Sequence, residues 1–232
     1  MSQLALPLQL ADHAVFASYL DSGNETLVAT LLAIANGADL HGCWLWGSAA
    51  TGKTHLLQAV CAAAGDRSAY VPLSMLADAG PQVLEGLENR ELVCIDDMQH
   101  VVGRPDWESA LFNLCNQVND AGGQLLVAAN STPRECPIVL ADLQSRLARL
   151  PVFQVHTLGE PERAKALQLR SRHRGLDLPD DTARYLLKRS RRDMASLYEL
   201  LDRLDREALR SKRRLTIPFA RTVLDKAGSP GS

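Results

Sequence analysis

Cysteine is sparse and unpatterned in this 232-residue chain: Cys43, Cys61, Cys94, Cys115 and Cys136 lie 18 to 33 residues apart. No CxxC pair and no Cys/His spacing suited to a metal occurs, which excludes a cysteine-based metal site. The odd count speaks against a disulfide framework, and the apolar neighbours of most of these residues predict small buried hydrophobes in a reducing cytoplasm. Long apolar runs are missing as well. A membrane helix needs about 20 such residues, whereas the longest stretch here, 27–35, is broken by Thr30 and reads as a buried helix. Residues 1–14 carry no Lys or Arg, so no signal peptide is expected. The six histidines show no pairing at metal or triad spacing.

What is present is an ordinary globular composition, 46% apolar and 22% charged, which excludes long disorder and collagen-like chains. The length suits one large domain, or a core with a smaller appendage. The net charge of −2 conceals a division. Residues 1–158 hold 7 Lys+Arg against 16 Asp+Glu, while 159–232 hold 18 against 11. Opposite signs in the two parts predict two structural units.

Short apolar runs at 43–46, 69–72, 92–95, 125–129 and 152–155 alternate with helical patterns at 54–64, 106–121 and 140–150. Each run is bounded by turn or charged residues and is apolar on both faces, as buried parallel strands are. The fold class expected is α/β, a parallel sheet sandwiched by helices. Beyond Gly159 the strands stop. Segments 161–174, 179–190, 193–209 and 217–226 read as helices, two of them with proline near the start. Leu197, Leu200, Leu201 and Leu204 form an apolar stripe at helical spacing. The expected layout is a core over 13–158, an all-helical C-terminal lid over 159–226 and a flexible Gly/Ser/Pro-rich tail over 227–232.

Directly after the first core strand comes Gly47-Ser48-Ala49-Ala50-Thr51-Gly52-Lys53-Thr54, a complete GxxxxGK[ST] motif opening a helix. Glycines let backbone N–H groups converge on phosphate oxygens, and the helix N-terminus adds its dipole. Lys53 supplies charge for the β- and γ-phosphates, and Thr54 a hydroxyl for Mg²⁺. The run Leu92-Val93-Cys94-Ile95 ends in Asp96-Asp97. Asp96 is the candidate on the metal side, and Asp97 the candidate for orienting the attacking water. Asn130, at the end of the fourth strand, could touch the γ-phosphate or the water; a loop-starting Asn explains it equally well. Arg146 lies late in the core, where it could reach a nucleotide held by another subunit, or stand as a solvated helix arginine.

These motifs, in this order, resemble the AAA+ ATPases. The strings Leu92–Asp97, Leu143-Gln144-Ser145-Arg146-Leu147, Ala166-Leu167-Gln168-Leu169-Arg170 and Leu215-Thr216-Ile217-Pro218-Phe219 resemble the DnaA-related family, over roughly residues 4–224. The resemblance implies a P-loop AAA+ core with a helical lid, binding ADP or ATP with Mg²⁺. It makes Arg146 the arginine finger and Asn130 the first sensor, and sets Phe16 beside the adenine. It also gives meaning to Gln3-Leu4-Ala5-Leu6-Pro7-Leu8, similar to the peptide by which such proteins dock on the DNA polymerase sliding clamp. There Gln3 would orient an extended segment, and Leu4, Leu6 and Leu8 would fill pockets; packing on the protein's own core is the alternative.

Two departures from the family pattern stand out. The lid arginine that senses nucleotide in DnaA is matched here by Ala195; either Arg192, a turn away, substitutes for it, or sensing of the γ-phosphate by the lid is weak, which leaves open whether the chain turns over ATP itself. No domain for reading DNA boxes is expected after the lid. The implied role is negative regulation of chromosomal replication initiation. Its expected partners are the initiator DnaA and the sliding clamp, with DNA reached mainly through the clamp and no membrane contact. Its expected place is the cytoplasm, at the nucleoid through the clamp, as a monomer or a homodimer. Competing readings are a DNA-binding initiator or helicase-loader-like ATPase using the basic lid, a small-molecule kinase, and a nucleotide-holding adaptor without catalysis.

Overall fold

The computed structural model describes residues 14–38, 40–189, 194–211 and 214–228, with Ala195 and 226–228 described in backbone only. Five strands form one sheet: β1 (Gly42–Trp46), β2 (Ser68–Pro72), β3 (Leu92–Asp96), β4 (Gln124–Ala129) and β5 (Val152–Gln154). The order is β2-β3-β4-β1-β5 and every pairing is parallel. Each strand lies within a residue of an apolar run in the sequence.

Parallel strands require both faces of the sheet to be covered, because each crossover returns a helix to one face. Helix α1 (Glu25–Ala35) precedes β1, and α2 (Lys53–Ala64), α3 (Leu73–Leu76), α4 (Pro105–Asp120) and α5 (Ala141–Leu147) come after the first four strands in turn. Trp44, Val93, Ile95, Val127 and Ala129 pack with Trp107, Leu111 and Leu114 of α4 and with Leu143 and Leu147 of α5. The alternate residues Cys43, Leu45, Cys94, Leu126 and Ala128 are fully buried. Pleating turns them to the other face, where α2 packs on β3 and β4 and α1 packs on α2. All five cysteines are buried and unbridged.

Strand β5 departs from the expectation that all five strands are covered on both sides. It pairs only with β1, and Val152 and Gln154 are exposed. An edge position leaves one flank open, which an apolar sequence run does not reveal.

The helical unit comprises α6 (Glu160–His173), α7 (Asp180–Arg189), α8 (Met194–Ser211) and α9 (Ile217–Gly228). Its interior is the stripe Leu197, Leu200, Leu201 and Leu204 of α8 against Leu167, Leu186 and Phe219. Arg170 is buried there, its guanidinium 3.9 Å from the centre of the Tyr198 ring, a cation–π contact that offsets part of its desolvation. The chain divides into two compact units, Asn24–His156 with residues 14–16, and Ala17–Gly23 with the segment from Thr157 onward. Helix α9 runs two residues past the expected lid end at 226. Among the described residues, no helix is long and apolar enough to cross a membrane.

Candidate functional site

The GxxxxGK[ST] segment leaves β1 and enters α2 as a tight loop. Gly47 cannot carry a side chain here: a Cβ would stand 2.7 Å from the Val155 carbonyl oxygen. Gly52 has φ +100° and acts as the left-handed cap of α2. Among the described residues, Ala50 and Asp97 are the two non-glycines with positive φ, at +60° and +58°. Both belong to the site motifs. Such strain persists where surrounding structure over-determines the backbone, and it concentrates at functional sites.

Lys53 is 6% exposed, and its Nζ donates to the carbonyls of Gly47 and Ser48, each at 2.8 Å. The ammonium is thus folded back onto its own loop. Burial lowers its pKa, and the carboxylates of Asp96 and Asp97 pull the other way. Thr51 Oγ1 donates to the Ser48 carbonyl and tightens the same turn. Thr54 opens the first turn of α2 beside Lys53, and its side chain acts on the Asp96 carboxyl to lower that group's pKa.

Asp96, last residue of β3, is 1% exposed. Burial raises its carboxyl pKa, opposed by the side chains of Thr54 and Tyr70. The Tyr70 hydroxyl, from the neighbouring strand β2, donates to Oδ2 at 2.8 Å, and the Asp97 N–H donates to Oδ1 at 3.0 Å. Asp97 is half-buried, and its Oδ1 accepts from Gln99 Nε2 at 2.9 Å. The oxygen donors Thr54 and Asp96 fit Mg²⁺, which takes one or two protein oxygens and completes its shell with phosphates and water. Tyr70 and Gln99 carried no signal in the sequence; only the register of β2 on β3 brings Tyr70 to Asp96.

Asn130 is exposed just past β4. Its turn is fixed from below by Trp44, whose Nε1 donates to the Ser131 carbonyl at 2.9 Å. Trp44 is fully buried, as a core residue should be, and also has this anchoring task. Arg146 is half-buried on α5, next to the buried pair Leu143 and Leu147, and its Nη2 donates to Asn116 Oδ1 of α4 at 2.5 Å. The segment leading into α5 is held by Glu108 of α4. This carboxylate is 1% exposed and accepts from the N–H groups of Gly103, Val139 and Leu140. Glu108 and Asn116 escaped sequence reasoning, because a polar residue in a helical pattern does not declare its partner.

Phe16 is half-buried and begins a 3₁₀ turn, Phe16–Ser18. The preceding carbonyl, of Val15, lies 3.0 Å from His55 Nε2. A carbonyl only accepts, so the ring nitrogen donates, tying residue 15 to the first turn of α2. Asn24 secures the end of the core in a similar way, its amide bonding both backbone groups of His156. Gln3, Leu4, Leu6, Leu8 and Arg192 lie outside the described residues, and of Ala195 only the helical backbone is described. Among the described residues no group of three or more His, Cys, Asp or Glu side chains could hold a metal.

A family model described as the bacterial DnaA ATPase domain matches residues 10–151 of this chain. The chain belongs to the bacterial DnaA ATPase-domain family. A second model, the Hda lid domain, matches residues 160–224, so this is an Hda/DnaA-related AAA+ protein with a C-terminal helical lid. Among solved structures, domain III of the replication initiation protein DnaA from Thermotoga maritima is similar at a TM-score of 0.77 and 19% identity, over 95% of this chain and 99% of that one. AMPPCP-bound DnaA from Aquifex aeolicus is similar at 0.65 and 21%, over 84% of this chain and 65% of that one. The RuvB Holliday junction branch migration motor of T. maritima follows at 0.63 and 17%, over 89% and 69%. At these identities the structural likeness carries the AAA+ fold alone.

Proposed function

We propose that this DnaA-related protein is a negative regulator of chromosomal replication initiation, which promotes hydrolysis of the ATP held by DnaA. The observation that carries the reading is a DnaA-type ATPase core joined in one chain to a lid that matches the Hda lid model. The nucleotide part rests on a loop already shaped for phosphate. ADP or ATP phosphates would take over the Lys53 ammonium from the Gly47 and Ser48 carbonyls, and the N–H groups of residues 48–54 would cradle their oxygens. Thr54 and Asp96 would hold Mg²⁺, which draws negative charge off the phosphates. Asp97 would orient water and Asn130 would contact the γ-phosphate. Phe16 would lie along the adenine, and Arg192 would substitute for the lid arginine that Ala195 lacks.

The regulatory part assigns Arg146 to the nucleotide of DnaA. An arginine supplied in trans accelerates phosphoryl transfer by about 10³–10⁵. Gln3, Leu4, Leu6 and Leu8 would dock the protein on a sliding clamp loaded on DNA, and such tethering multiplies weak contacts by about 10²–10⁴. A pull-down on the sliding clamp tests the docking. The wild type is expected to be retained and the Gln3→Ala/Leu4→Ala variant lost. Equal retention of both would remove the clamp from the mechanism. Clamp-independent DNA affinity that falls steeply with salt would favour the initiator-like alternative instead.

A further inference from the structure

We propose that Asn116 is a positioning residue for Arg146: a neutral acceptor on α4 that holds the guanidinium extended without cancelling its charge. The inference rests on the reading that Arg146 acts on a nucleotide outside its own chain.

The geometry places α4 as a template for α5 at two points. Near its start, Glu108 accepts the N–H groups of Val139 and Leu140, the last residues before α5, at 3.0 and 2.7 Å. Two turns later Asn116 Oδ1 receives Arg146 Nη2. Leu111, Leu114, Cys115 and Val118 bury the adjoining face of α4, so Asn116 is held at the rim of the core, half-exposed beside the arginine. Leu143 and Leu147 fix the rotation of α5 in the same manner. Both ends of the hydrogen bond therefore start from backbone that packing immobilises.

The chemistry of the acceptor matters as much as its place. Arginine has a long, rotamer-rich side chain, and confining it in advance lowers the entropy lost when it meets its target. The guanidinium has five N–H donors; one is used on Asn116, and Nε and Nη1 suit the oxygens of a phosphoryl group. A carboxylate at 116 would hold the arginine equally well and offset its charge. The Cys115 thiol, also near Arg146, is pushed up to about 12 by burial and stays neutral.

The test uses the full chain and reads hydrolysis of ATP bound to DnaA in the presence of clamp-loaded DNA. It measures the maximal stimulated rate, the concentration giving half-maximal stimulation, and the melting temperature. Asn116→Ala is expected to lower the maximal rate about tenfold, as a misplaced catalytic group does, with half-saturation and melting unchanged. Asn116→Asp, nearly isosteric, is expected to lower the rate as well. A normal rate in Asn116→Ala overturns the proposal, and so does a fall that tracks half-saturation or melting, the signature of a structural role. A normal rate in Asn116→Asp overturns the requirement for a neutral acceptor. Arg146→Ala is the control: if it stimulates normally, the trans-acting reading itself fails, whatever Asn116 does.

Discussion

The Tyr70 hydroxyl donates to Asp96 Oδ2 at 2.8 Å across the β2–β3 pairing, so the carboxylate at the head of the site is oriented from the neighbouring strand. Burial and the Asp96 charge both push the phenol above its ordinary range, and it remains a donor at any working pH. Tyr70→Phe is expected to cost about 1–2 kcal/mol of stability, the worth of a hydrogen bond to a charged group less the packing retained. It should also weaken Mg²⁺-dependent ATP binding while leaving Mg²⁺-free binding near normal. Calorimetric titrations with and without Mg²⁺ make the comparison.

Asp96 should make stability depend on pH in a definite direction. Its folded pKa lies above the ordinary 3.8, so the folded state keeps a proton that the unfolded chain has already released. Stability contributed by the protonated form is full below 3.8 and is lost as pH rises through the folded pKa. Asp96→Asn removes that loss. Without nucleotide, the variant is expected to melt about 2–4 °C above wild type at neutral pH, for about 1 kcal/mol, with the gain shrinking as pH falls. Mg²⁺-dependent nucleotide binding should disappear. Thermal melts over a pH series check the first point, and titration with ATP the second.

Gly47→Ala forces a Cβ to 2.7 Å from the Val155 carbonyl oxygen and 3.2 Å from Thr51 Oγ1. Neither neighbour yields easily, one being backbone and the other locked to Ser48. The strain, about 1–3 kcal/mol, falls on the phosphate loop. Nucleotide affinity is expected to drop about tenfold or more, with circular dichroism unchanged. Fluorescent ADP binding reads it.

Glu108→Ala strips the buried acceptor from three backbone N–H groups that are themselves only part-buried. Each orphaned donor costs about 1–3 kcal/mol, and water entering the gap returns part of that. A loss of about 3 kcal/mol in denaturant unfolding is expected, with faster amide exchange at Val139 and Leu140. Glu108→Gln, with one acceptor oxygen left, should fall between.

How much of this was legible beforehand depends on whether the signal was local. The strands announce themselves because a buried parallel strand is apolar throughout, and Gly47–Thr54 because strand, turn and helix follow one another in sequence. The exposure of β5 was hidden: Val152 and Phe153 are as apolar as central residues, and only the pairing order makes that strand an edge. Tyr70, Glu108 and Asn116 were hidden for a related reason. Each acts through a partner on another element or turn, and nothing in the chain around Asn116 points 30 residues ahead to Arg146. The positive φ of Ala50 could not be read either, since left-handed backbone is the habit of Gly, Asn and Asp and alanine gives no sign of it.

The central claim is that Arg146 acts on ATP held by DnaA, and it is tested most directly by timing hydrolysis of that ATP. Labelled ATP bound to DnaA would be followed with clamp-loaded DNA and either the wild type or Arg146→Ala, at matched clamp occupancy. Wild type is expected to accelerate hydrolysis strongly, and Arg146→Ala to leave it at the unstimulated rate while still binding clamp and nucleotide. Acceleration by Arg146→Ala equal to that of wild type would contradict the assignment.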